Sequence, residues 1–209
     1  MVWQRTTVYG NQMTMWMRKF ISGLLLVAAL GLIGQAGCAP RLAPATPEGV
    51  VLAPGRYLTA YYRAPDFTPA RAVYVLTPFK VETAQGVAAD TFQTLFMEEL
   101  TQAYRANGLK ISETGDTVVD GVVQWAAIRG TAFRFIRGRI DADLVVSGVI
   151  TRGGDTLFAC QDRITMSSPV NPGPPAPKED ELLLRQAART FANHLLNEML
   201  LYWPPAEGR

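Results

Sequence analysis

Few side chains in this sequence combine a reactive type with a spacing that would let them act together. His194 is the only histidine, and Cys38 and Cys160 are the only cysteines. An imidazole beside a thiol makes a nucleophile, but a Cys160–His194 dyad requires a strand and a helix to present both groups to one open cleft. Cys160 lies in LFACQ, in phase with Phe158 and Ile164, a setting in which cysteine behaves as a small hydrophobe. The pattern therefore points to a core thiol and a surface histidine, with Glu198 four residues further along the same helix side and within pairing reach. Ser147 offers no alternative, because Val146-Ser147-Gly148-Val149 lacks the first glycine of a nucleophile elbow.

Metal and phosphate chemistry are equally thin. Neither CxxC nor HExxH occurs, which leaves no zinc site of ordinary spacing. Asp141 and Asp143 share one strand face and carry the hard oxygens a divalent cation takes. The alternation around them assigns both to a solvated face. Arg152-Gly153-Gly154-Asp155 is a hairpin turn with no helix after it, so it is not a phosphate loop. No catalytic residue, cofactor or metal is expected.

One cluster stands apart. The segment RGTAFRFIRGR puts four arginines and two phenylalanines between two strands. Arginine forks around phosphate or carboxylate, and aromatic rings anchor interfaces. Arg129, Phe133, Arg134, Phe135, Arg137 and Arg139 are thus candidate contacts for an anionic lipid or the acidic rim of a partner protein. The same residues also fit a plain hairpin, with the rings tucked into the core and the arginines hydrated above apolar surface.

The elements that carry these residues begin well inside the chain. Arg5, Arg18 and Lys19 precede Cys38 while no acid does, leaving 17 basic against 18 acidic residues from Cys38 onward. A near-neutral body gives no general reason to expect nucleic acid. Met17-Arg18-Lys19 opens an apolar run, FISGLLLVAALGLI, from Phe20 to Ile33. As a helix it is roughly 21 Å long, short of the ~30 Å hydrocarbon core, and basic residues before it with small residues after it describe a secretory signal over residues 1–37. Met17 is a natural initiator, which makes residues 1–16 a candidate over-extended start.

Ala36-Gly37-Cys38 resembles the lipobox of bacterial lipoproteins. The resemblance implies cleavage before Cys38 and a diacylglycerol on its sulfur, a membrane attachment point. Gln35 departs from the aliphatic residue usual in that motif, while Leu32, Ile33 and the small pair Ala36-Gly37 fit it. Ala39 is not the aspartate that resembles an inner-membrane retention signal, so the implied address is the outer membrane, facing the periplasm. Acyl chains contribute ~0.8 kcal/mol per buried methylene, and two chains suffice where one does not. Thioether formation would also leave Cys160 without an intramolecular partner.

Residues 39–56 carry four prolines and read as an extended tether, with docking of Val50-Val51-Leu52 as an edge strand the alternative. A single α/β domain spans 57–203, with 204–209 as a tail. Its lead-in to Pro69 reads as irregular. AVYVLTPF is a strand stopped at Pro78; a helix follows, with Asp90 and Gln93 as its capping pair and Phe92, Phe96, Leu100 and Ala103 on one face. Asn107-Gly108 stops it before the short strand Leu109-Lys110-Ile111. Val118 to Ile128, the alternating stretch to Ile150, and Leu157 to Met166 make a meander. The last helix, Lys178 to Trp203, turns Leu184, Ala188, Phe191, Leu195 and Met199 inward. The expectation is an α+β two-layer sandwich, order β-α-β-β-β-β-α, with two helices on one face of a mixed four- to five-stranded sheet.

VYVLTPF, FQTLFMEELTQAYRANGLKI, and VVDGVV followed by ADLVVSGVI together resemble the small α/β domains of envelope accessory lipoproteins. That group includes the amino-terminal domain of TolB and the lipopolysaccharide-assembly lipoprotein that plugs its barrel partner. The expected role is a non-enzymatic, lipid-anchored binding or assembly module of an envelope protein complex. A periplasm-facing enzyme and a structural spacer are the alternatives.

Overall fold

The computed structural model describes residues 49–129, 139–169 and 179–201. In chain order the elements are β1 (Ala60–Arg63), a 3-10 turn (Pro69–Arg71), β2 (Val73–Leu76), β3 (Lys80–Val81), β4 (Ala84–Gln85), α1 (Ala89–Ala106), β5 (Lys110–Ile111), β6 (Thr117–Arg129), β7 (Arg139–Arg152), β8 (Asp155–Pro169) and α2 (Glu179–Leu200). One mixed sheet runs β1-β8-β7-β6-β2-β5, and β3 and β4 also pair with β6. The α+β sandwich is as expected; the strand count is higher.

Proline chemistry accounts for part of the surplus. β2 ends before Pro78, which has no N–H to donate. The chain then resumes the same track: β2 pairs Thr117 to Val119, β3 pairs Val122 and Val123, and β4 pairs Ala126 and Ala127, all parallel to β6. One interrupted strand thus becomes three. β1 supplies the rest, because Tyr57 to Pro69 is not wholly irregular. Its Ala60 to Arg63 stretch pairs antiparallel with Gln161 to Phe158 of β8. The β7–β8 hairpin turns on Gly153 and Gly154 at φ +60° and +94°, the positive values a tight two-residue turn requires.

Both helices lie on one face. The main core joins Phe92, Phe96 and Leu100 of α1 and Leu184, Phe191 and Met199 of α2 to Val119, Val123, Leu144, Val146, Phe158 and Ile164. Those sheet residues share one side of the pleat. On the other side of the pleat Ala127, which the irregularity between Val123 and Trp125 turns there, Val145 and Ala159 are buried outside that cluster. Phe96 stacks on Phe191 at 5.5 Å between centroids. Full burial of such side chains contributes about 1.5–3 kcal/mol each.

The start of α1 departs from expectation. Its N-cap is Ala88, with no side-chain cap. Asp90 sits in the first turn, where its charge still suits the positive helix end. Gln93 instead donates from Nε2 to the Phe79 carbonyl at 2.7 Å, tying the helix to the β2–β3 connection. The far end behaves as read, with Gly108 at φ +71°. Ala103 is half-buried and Tyr104 takes the deeper position. Between the helices, Glu99 of α1 is buried at 2% exposure and held by Arg189 at 2.8 Å and Arg185 at 3.0 Å. No helix among the described residues is long and apolar enough to cross a membrane.

Candidate functional site

The most constructed polar site lies where α2 overhangs the end of β1. Asp162, on the helix-facing side of β8, is 2% exposed. Its Oδ1 accepts from Thr59 N at 3.2 Å, Thr59 Oγ1 at 3.1 Å and Arg163 N at 2.9 Å. Its Oδ2 meets His194 Nδ1 at 2.8 Å. One turn along α2, Glu198 accepts from Tyr57 N at 2.7 Å and Leu58 N at 3.2 Å through Oε2. Gly55 passes so close that a Cβ there would stand 2.8 Å from the same oxygen. Ala53 and Tyr61 exchange two backbone bonds at 2.8 Å.

The two carboxylates therefore fasten residues 53–61 to the body as a strap that takes in the last four residues, 53–56, of the segment read as an extended tether. A backbone segment leaving a sheet must have its N–H groups satisfied, and here buried acids do it in place of a strand. His194 pairs with Asp162 rather than with Glu198, which is engaged with the strap. The imidazole is neither wholly surface nor core, its side chain being 32% exposed. Helical spacing alone pointed to Glu198. The carboxylate that wins comes from another element, and no local pattern announced it.

Cys160 is a buried core thiol. Desolvation pushes it up to about 12, which keeps the thiol protonated at neutral pH. It shares the helix-facing side of β8 with Asp162, whose Oδ1 holds Thr59 of the strap and whose Oδ2 meets His194. Among the described residues no group of three or more His, Cys, Asp or Glu is placed to hold a metal ion.

On the opposite sheet face the structure corrects the reading of the aspartates. Asp143 is not solvated; it is 2% exposed. Its Oδ1 accepts from Thr165 Oγ1 at 2.7 Å and its Oδ2 lies against the Arg129 guanidinium. Asp141 is half-buried, accepts from Ser167 Oγ at 2.6 Å and pairs with Arg139 at 3.4 Å. Cross-strand register explains this, since Arg129 stands opposite Asp141 and Ala127 opposite Asp143. The two ends of the arginine segment are thus engaged with β7 carboxylates. Phe133, Arg134, Phe135 and Arg137 lie outside the described residues, as do Cys38, the leader and the tether before residue 49.

No protein-family model matches the chain, and none of the curated proteins matches it. Among solved structures it is similar to the PelC dodecamer from Paraburkholderia phytofirmans, at 13% identity and TM-score 0.41 over 68% of this chain and 96% of that one. It is similar to protein XCC0632 from Xanthomonas campestris, at 8% identity and TM-score 0.46 over 66% and 89%. A third similarity is to the rare lipoprotein B from Shewanella oneidensis, at 15% identity and TM-score 0.37 over 60% and 92%. These bacterial proteins include one named a lipoprotein; the scores are too low to transfer a role.

Proposed function

We propose that this chain is a bacterial lipoprotein, anchored in the outer membrane through Cys38 and facing the periplasm, whose α+β body is a non-enzymatic binding or assembly module of an envelope complex. The observation that carries the reading is the apolar run Phe20 to Ile33 closed by Ala36-Gly37-Cys38. The strap supports it. A body hung from a lipid needs its attachment segment fixed to the core, and Glu198 and Asp162 fasten that segment through buried and part-buried hydrogen bonds from its backbone. The absence of catalysis is part of the proposal; of the residues best suited to chemistry, Cys160 is packed in the core and His194 is paired with Asp162.

Mass spectrometry of the N-terminal peptide from protein expressed in a bacterial host tests the anchor. The expected peptide begins at Cys38 and carries the diacylglyceryl mass, and Cys38→Ser is expected to leave the leader attached. A free thiol at Cys38, or an uncleaved leader in the parent chain, would refute the anchor. Density-gradient separation of the two membranes tests the address. Detergent extraction followed by affinity purification tests the module, with a stoichiometric membrane partner as the expected result.

A further inference from the structure

β8 is longer than the strand that covers it. β1 pairs only with Phe158 to Gln161. From Asp162 to Pro169, β8 has β7 on one side and no strand among the described residues on the other. The bonds already made show which way its backbone groups turn. Tyr61 exchanges both its backbone bonds with Ala53, so it faces away from β8 and its partner Cys160 faces β7. Leu157 O, by contrast, accepts from Ala64 N on the β1 side. Odd-numbered residues of β8 therefore turn N–H and C=O toward the open edge. Pairing with β7 is regular from Phe158 onward, so the same parity holds at Arg163, Thr165, Ser167 and Pro169.

Two of those four positions are already blocked. Arg163 N–H is taken by Asp162 at 2.9 Å, and Pro169 has no N–H. Thr165 and Ser167 each keep one outward donor and one outward acceptor, while their hydroxyls are bonded to Asp143 and Asp141. An edge with this pattern selects its partner strand.

We propose that the edge pairs with a second copy of the same chain, β8 against β8 antiparallel, about a two-fold axis at Met166. That register sets Thr165 of each copy opposite Ser167 of the other, and the outward groups of both residues are all consumed in reciprocal bonds. It also sets Arg163, whose N–H is occupied, opposite Pro169, which has none to offer. Neighbouring registers fit worse. An axis at Thr165 or Ile164 drives the second strand onto the track that β1 holds at Gln161. An axis at Ser167 sets Thr165 opposite the proline and leaves its carbonyl unpaired. On the helix side, Met166, which accepts a contact from Thr190 at 3.7 Å, meets its own copy at a closely spaced position, Cα atoms about 4.5 Å apart.

A joint this short buries less than the ~1,200 Å² of an ordinary stable interface. It is populated where copies are crowded, and in that respect it rests on the lipid anchoring proposed above, which confines copies to one surface.

The test uses the full-length chain reconstituted in vesicles of phosphatidylethanolamine and phosphatidylglycerol under mild oxidation. Met166→Cys is expected to form a disulfide-linked homodimer at least ~10-fold faster than Arg105→Cys on the exposed side of α1, because the paired Cα distance suits a disulfide. Adding Ser167→Pro removes one outward N–H while leaving the ladder with β7 intact, and Asp141 keeps its pairing with Arg139. It is expected to bring cross-linking down to the Arg105→Cys level with no loss of fold by circular dichroism. Equal rates for the two cysteine variants, or indifference to the proline, overturn the proposal. So does cross-linking from native membranes only to a chain of another mass. A chain that leaves the vesicles yet dimerises through the Met166→Cys thiol when concentrated in solution overturns the anchoring and upholds the edge.

Discussion

Replacing Glu198 with alanine removes the acceptor that Tyr57 N and Leu58 N share, at 2.7 and 3.2 Å. Hydrogen bonds to a charged acceptor contribute about 1.5–3 kcal/mol each, and the low end is appropriate here because one of the two is only part-buried; together they are worth about 3 kcal/mol. Against that loss stand the burial of Leu58, about 2 kcal/mol, the Ala53–Tyr61 bonds and the hold of Asp162 on Thr59. Ordering each strap residue costs about 1–2 kcal/mol of backbone entropy, which opposes these contacts and leaves the strap's net hold on the body small. The strap should therefore open locally while the body stays folded. At 1.4 kcal/mol per decade, the expected result is about a hundredfold faster amide exchange at Tyr57 and Leu58. Glu198→Gln keeps a neutral acceptor and should lose about half as much free energy. Hydrogen–deuterium exchange followed by mass spectrometry reads both variants. The reasoning is refuted if the Tyr57 and Leu58 amides of Glu198→Ala exchange within ~3-fold of the parent, or if β7 loses protection in step with the strap.

Glu99 gives a pH dependence. Burial alone would raise its carboxyl, but hydrogen bonds from Arg189 and Arg185 hold it below the ordinary 4.5. The unfolded chain then binds the proton more readily, so this contribution is present above pH 4.5 and lost as pH falls through the lowered folded value. Urea unfolding between pH 6 and 3 should show a shallower acid loss for Glu99→Gln than for the parent. Cys160, pushed up to about 12 by burial, should resist a thiol reagent at pH 8 until denaturant is added; rapid labelling of the native chain would contradict its packing. Gly121→Ala sets a methyl into the Phe79 ring and the Ser147 carbonyl. It should destabilise by about 1–3 kcal/mol in the same urea assay, and a neutral result would mean that the ring moves aside freely.

Periodicity made most of the architecture legible in advance. Phe92, Phe96 and Leu100 repeat at helical spacing, Ile140 to Ile150 alternate, and Gly153-Gly154 mark a turn, because each signal comes from residues close together in the chain. The order of the long elements, the side each helix buries and the core position of Cys160 follow from such local patterns. β1, β3 and β4 were not legible, since short strands exist only through the pairing that β8 and β6 offer them. The polar sites divide the same way. Alternation assigned Asp143 to a solvated face, yet the facing residues of β6 and β8 bury it with Arg129 and Thr165. Helical spacing offered Glu198 to His194, yet a strand more than thirty residues earlier supplied Asp162. By itself the sequence determined the order of the long elements and the two-layer plan, and it carries the proposal of a leader closed by Cys38. Only the tertiary structure decided which carboxylate meets which donor, because a charge buried between elements takes its partner from whatever the packing brings within 3 Å, not from its neighbours along the chain.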